Sequence, residues 1–173
     1  QLILSFALLF AFRNERAAGN TAQMLFEQSY SIFPAWNINF HLGVDGISVA
    51  MILLTAFVVV AGVLVSWNIE KMTKEFYFLL TLLALGAYGF FISLDLFVLF
   101  FFLEIAVIPK YLLIGIWGSG KKEYSANKLA LMLMGGSALV LVGILGLYFS
   151  SGHSFDLLNL SKMNISKETQ QII

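Results

Sequence analysis

DLFVLFFFLEIAVIPKYLLIGIWG, residues 95 to 118, decides the fold. The run is long and apolar enough to cross a bilayer as a helix, and it carries one carboxylic acid, Glu104, near its middle. At a helical rise of about 1.5 Å per residue, Glu104 lies roughly 14 Å from Asp95, about halfway through a hydrocarbon core of ~30 Å. A charge at that depth costs at least about 2.5 kcal/mol, so the acid must face protein or water, find a partner, or be protonated. Each of those states permits proton handling. Pro109, five residues on, removes the backbone donor that would serve the carbonyl of Ile105, loosening the helix where water could enter.

Working outward, residues 46 to 66, 76 to 93 and 125 to 149 are further hydrophobic spans, so the chain reads as an all-α polytopic membrane protein with four full transmembrane helices. Leu2 to Phe12 is too short to span and is expected to be the end of a truncated helix. Residues 13 to 45 form a connection in which Trp36, Ile38, Phe40, Leu42 and Val44 alternate with polar or small residues. That period of two predicts a short external strand or hairpin with one buried face. The tail from 150 to 173 reads as an external loop leading to a missing helix. In it Phe155 to Leu160 is expected to lie as an amphipathic turn on the surface, and Asn164 and Ser166 offer helix caps before Glu168. Small residues seven apart, Ser48, Thr55 and Gly62 in one span and Gly136 and Gly143 in another, predict close-packing faces.

Composition closes off several functions. The chain is 60% hydrophobic and 12% charged with zero net charge, so a nucleic-acid surface has no electrostatic footing. There is no cysteine, hence no thiol nucleophile and no iron-sulfur ligand set. His41 and His153 both sit in polar connections, so no cofactor or metal is expected in this chain and any redox step belongs to another. Lys71, Lys74, Lys121 and Lys122 fall in connections on one side, which is therefore cytoplasmic. Lys110 lies roughly 10 Å short of that side and either snorkels outward or points inward as a relay base. Lys128, in the first turns of its helix, has the same two readings. Asp45 and Asp95 read as helix caps.

Three stretches in this order, HLGVDGIS at 41 to 48, SLDLFVLFFFLEIAVIPKYLLIGIWG at 93 to 118 and EYSANKLALMLMGGSALVLVGILGLYF at 123 to 149, carry a family resemblance. The chain resembles the antiporter-like membrane subunit M, or chain 4, of NADH:quinone oxidoreductase, respiratory complex I. The resemblance implies a larger bundle, of which these residues would be roughly the N-terminal third, from the end of the second helix through the sixth. It implies proton translocation through Glu104, matching a glutamate on the fifth helix that pairs with a lysine on the absent seventh. Lys128 matches a lysine common on the sixth helix, whereas Lys110 stands where many members have Met or Leu. The implied partners are other membrane subunits of complex I, neighbouring antiporter-like subunits above all, and the lipid bilayer. NADH, flavin, iron-sulfur clusters and quinone would be bound by other subunits. The implied location is the bacterial inner membrane in preference to the mitochondrial one. Two alternatives stay open: a subunit of a multi-subunit sodium/proton antiporter or membrane-bound hydrogenase, and a structural assembly subunit.

Overall fold

The computed structural model describes residues 1–163, and the caps expected at Asn164 and Ser166, with Glu168, lie outside them. Helix α1 covers Leu2–Ala17, running a turn past the apolar stub. Strands β1 (Leu25–Phe33) and β2 (Ile38–Val44) follow, then α2 (Gly46–Val65), α3 (Thr73–Ile92), α4 (Leu96–Trp117), α5 (Lys122–Ser150) and a single turn, α6 (Leu157–Leu160). Four of these, α2 to α5, are long and apolar enough to cross a membrane. Consecutive helices from α1 to α5 pack side by side, and α3 against α4 is the most extensive pair.

That pair is close because α3 presents glycine where α4 arrives. A Cβ on Gly86 would stand 2.9 Å from the Cβ of Ala106 and 3.0 Å from the carbonyl oxygen of Phe102, and one on Gly89 would collide with the Phe102 ring. The absent side chains admit dispersion contacts between the two backbones, the main attraction open to helices in lipid. Pro109 does not interrupt α4. Its ring is buried while the helix runs on to Trp117.

The small-residue stripes pack less than their spacing predicts. Gly62 only reaches 4.0 Å from Leu80, and Ser48 and Thr55 are half-buried beside the more deeply packed Val49, Ile52 and Ala56. Gly136 is a correction: nothing within 4 Å would meet a Cβ there, because α5 turns Ala126, Ser137 and Ile144 inward instead.

The external strand is a hairpin, with β1 antiparallel to β2 and Tyr30 opposite Phe40. It begins later than its alternation implies. Pro34–Trp36 form a 3₁₀ turn and Asn37 takes a left-handed conformation at φ 53°, so Trp36 is exposed and pairing starts at Ile38. Nor does one face alone bury. Asn39 and His41 are half-buried like Phe40 and Leu42, because both faces of β2 meet other segments.

Those segments meet at the α3–α4 turn. Leu94 donates its N–H to the carbonyl of His41 at 2.8 Å, Leu96 donates to Phe155 at 2.9 Å, and Leu157 donates back to Leu94 at 2.9 Å. Phe155 is thereby pulled into the core. It is 1% exposed, stacks on Tyr148 with centroids 4.3 Å apart, and joins Ile38, Val98 and Ile144. The expected surface turn at Phe155 to Leu160 is therefore overturned: the turn is there, but it plugs the end of the bundle.

At the opposite end the lysine-bearing connections meet. The Trp117 indole N–H donates to the Lys71 carbonyl at 2.8 Å, and the Lys122 ammonium donates to the last-turn carbonyl of Ile116 at 2.8 Å. The loops bearing Lys71 and Lys121 thus share one face, as the charge pattern requires of a single membrane side.

Candidate functional site between α4 and α5

Glu104 sits on the ninth residue of α4, between the hairpin end and the lysine end. Its Oε1 is buried and has no hydrogen-bond partner. Among the described residues no Lys, Arg or His lies within 4.0 Å of it, the ion pairs being confined to His41. A buried polar atom without a partner carries a desolvation penalty of about 1–3 kcal/mol, more when charged, so such an atom in a native fold calls for water, an ion or a missing group.

Glu104 is also one of the residues lining a groove of about 760 Å³ between α4 and α5. Residues 101, 104, 105, 107, 108 and 111 line it from α4, and 127, 130, 131 and 134 from α5, each set following helical spacing along one face. The walls are apolar except for Glu104, Tyr111 and Asn127. The Tyr111 hydroxyl donates to Asn127 Oδ1 at 3.1 Å, tying α4 to α5 on the lysine side of Glu104.

Sequence reasoning did not single out Tyr111 and Asn127. Tyr111 was findable, since seven residues from Glu104 is two helical turns and the same face. Asn127 was overshadowed by its charged neighbour. The two lysines fall elsewhere. Lys110 is half-buried on α4, six residues from Glu104 and so about 120° around the helix, and Lys128 is exposed on α5, about 100° round from Asn127. Neither lines the groove.

A second polar cluster occupies the hairpin end. Asp95 is 1% exposed and caps α4, accepting from Phe97 N–H at 2.9 Å and Val98 N–H at 3.2 Å, while its other oxygen accepts from Asn39 N–H at 3.2 Å. Burial pushes its carboxyl above the ordinary carboxylate range. The three backbone donors oppose that shift, and nearby Asp156 adds to it. His41 stands between Asp156, at 3.4 Å, and Glu27, at 3.9 Å. Asp45 caps α2 by accepting from Ser48 N–H at 2.7 Å.

Four apolar helices of spanning length, joined by short connections and carrying one acid deep between their ends, define a multi-pass membrane protein. Comparison with known proteins gives the family. Residues 93–173 match the model described as NADH:quinone oxidoreductase/Mrp antiporter, transmembrane, and the chain belongs to that antiporter-like family. It is 38% identical over 144 residues to NAD(P)H-quinone oxidoreductase chain 4, chloroplastic, of Angiopteris evecta, a match covering 82% of this chain and 29% of the relative. The chain therefore spans less than a third of the length of that relative.

Two solved structures share the fold. A chain of respiratory complex I from Thermus thermophilus superposes with a TM-score of 0.77 at 24% identity, over 95% of this chain and 35% of that one. A chain of the Mrp complex from Dietzia sp. gives 0.74 at 18%, over 88% and 16%.

Proposed function

We propose that the chain is part of a proton-translocating, non-redox membrane subunit of an NADH:quinone oxidoreductase of the complex I type, in which quinone reduction in other subunits drives proton transfer through Glu104. The observation that carries the reading is the buried, unpartnered Oε1 in the middle of a membrane-spanning helix. Family membership and the likeness to quinone oxidoreductase chain 4 support it.

In this scheme a cation on a helix outside these residues approaches and withdraws. Opposite charges about 4 Å apart attract by about 4 kcal/mol at an effective dielectric of ~20, enough to hold Glu104 ionised when the cation is near and to let it take a proton when it leaves. Lys110 and Lys128 are secondary relay candidates, Lys110 seven residues before the end of α4 and Lys128 six after the start of α5. NADH, flavin, iron-sulfur clusters and quinone belong to partner subunits, and the neighbouring antiporter-like subunits are the contacts within the bilayer. We assign the bacterial inner membrane, with the lysine end cytoplasmic. A chloroplast membrane is the second location, favoured by the names of the relatives.

The test is Glu104→Gln in the full-length protein, assembled and reconstituted in vesicles. NADH-driven proton uptake should be lost at normal assembly, and unchanged uptake would refute the proposal. Exchange that requires sodium and proceeds without quinone-linked activity would favour the antiporter reading, which the family description also covers.

A further inference from the structure

We propose that His41 is a pH-operated clasp at the hairpin end of the bundle: its charged ring holds Glu27 of the hairpin and Asp156 of the tail together, and its neutral ring releases one of them. Nothing in the clasp requires Glu104 to carry protons, so it goes beyond the function proposed above. The observation behind it is where the ring sits, with Nδ1 3.4 Å from an oxygen of Asp156 and Nε2 3.9 Å from an oxygen of Glu27.

A neutral imidazole between two carboxylates cannot serve both. It has one N–H and one lone pair, so one carboxylate receives a hydrogen bond while the other meets a lone pair that repels it. Protonation makes donors of both nitrogens, whichever way round the ring lies. Charge-assisted hydrogen bonds to a carboxylate settle at about 2.7–2.9 Å, so both contacts have room to shorten when the ring is charged. Histidine is the side chain that ordinarily changes charge between about pH 5 and 8.

The ring has a fixed stem and its partners belong to other segments. His41 pairs with Ser29 across the hairpin, and its carbonyl accepts from Leu94 N–H. Asp156 divides its oxygens: Oδ1 accepts from Leu158 N–H at 2.8 Å, capping α6, which leaves Oδ2 for His41. The tail is joined to the α3–α4 turn by the backbone bonds from Leu96 to Phe155 and from Leu157 to Leu94, and these are the bonds that the clasp protects. The His41 side chain is 13% exposed, so its pairing is partly shielded from salt and still reached by solvent protons.

The charged groups gathered at this junction are all acids. Strand β1 brings Glu27, the tail brings Asp156, and the α3–α4 turn brings Asp95, whose carboxyl is pushed up by burial and further by Asp156. Asp45, four residues along from His41, is occupied with Ser48 N–H, and His153 sets its ring against Tyr148 and Phe149. Among the described residues no lysine or arginine lies within 4.0 Å of these acids. One imidazolium therefore offsets the mutual repulsion of carboxylates carried on three separate segments.

The experiment follows amide hydrogen exchange in the full-length protein within its assembled complex, from about pH 8 to about pH 6, each rate divided by the intrinsic rate at that pH. Protection of the Leu96 and Leu157 amides should rise about ten-fold on acidification, the effect of one charge-assisted hydrogen bond. His41→Gln, which never charges, should abolish the rise, and His41→Lys, charged throughout, should give high protection at both ends of the range. Asp156→Asn keeps a cap for α6 but removes a carboxylate, and Glu27→Gln does the same at a side chain 46% exposed, where folding is little at stake. In both, a neutral ring can satisfy its two neighbours, so the rise should shrink. Asp95→Asn should leave it in place. A full rise in Glu27→Gln or in His41→Gln overturns the clasp, and loss of the rise in Asp95→Asn alone assigns the pH response to the buried carboxyl instead.

Discussion

At the hairpin end of α4, Asp95 is 1% exposed and both its oxygens accept backbone N–H groups. Nine residues along the same helix, Glu104 buries an oxygen that nothing meets. The two acids differ in what surrounds them and not in chemistry. Asp95 is enclosed by three segments of its own chain, the hairpin, the α3–α4 turn and the stretch leading into α6, each supplying or receiving backbone hydrogen bonds. Glu104 is one of the residues lining the groove between α4 and α5. An acid whose hydrogen bonds are all made locks a structure, whereas one left without them has interaction energy still to exchange with a mobile proton or charge.

That contrast breaks first at Asp95. Asp95→Ala strips an acceptor from Asn39, Phe97 and Val98, and at about 1–3 kcal/mol for each donor left unsatisfied the junction should loosen by roughly 3 kcal/mol or more. Hydrogen exchange at those three amides, set beside thermal unfolding of the assembled protein, measures it. The same carboxyl gives a pH signature. Its native affinity for a proton is raised from the ordinary value of 3.8, so its contribution to stability is fullest below that value and is lost as pH rises through the higher native one. Unfolding temperatures should therefore gain from acidification across that window, and Asp95→Ala should remove the gain.

Gly86→Leu comes next, at about 1–3 kcal/mol from overpacking against Ala106 and Phe102, while Gly136→Leu, with open space around it, should change little. Equal losses at the two glycines would mean that α5 is buried on its far side in the intact protein. Trp117→Phe should cost about 1 kcal/mol by removing the indole bond to Lys71, read as faster exchange in the α2–α3 connection. Smallest of all is the stability effect of Glu104→Gln: within about 1 kcal/mol of wild type, because no made hydrogen bond is removed, even though proton uptake should vanish. A large loss of stability there would make Glu104 a structural acid like Asp95.

Much of this was readable from residues alone, and the exceptions have causes. The spans declare themselves because hydropathy belongs to each segment's own side chains, and Glu104 stands out as a charge where charge is costly. Strand β1 gave no signal. Only Leu25 of its nine residues is buried, so it has no apolar alternation to read and is held by the backbone ladder to β2. Phe155 looked like a surface residue because its burial is set by Tyr148 on the last turns of α5 and by the distant Ile38, which meet it only where the tail folds back over the α3–α4 turn. Tyr111 and Asn127 lie on different helices, and only the register of α4 on α5 brings them together.

The sequence by itself therefore determined that the chain crosses a membrane, where it crosses, and which acid lies within. Tertiary structure alone decided that Asp95 is a completed cap, that Glu104 is left without a partner, and that a tyrosine and an asparagine share its groove. The physical reason is that transfer free energy sums over a segment's own atoms, whereas satisfying a buried oxygen depends on where the atoms of another segment come to rest.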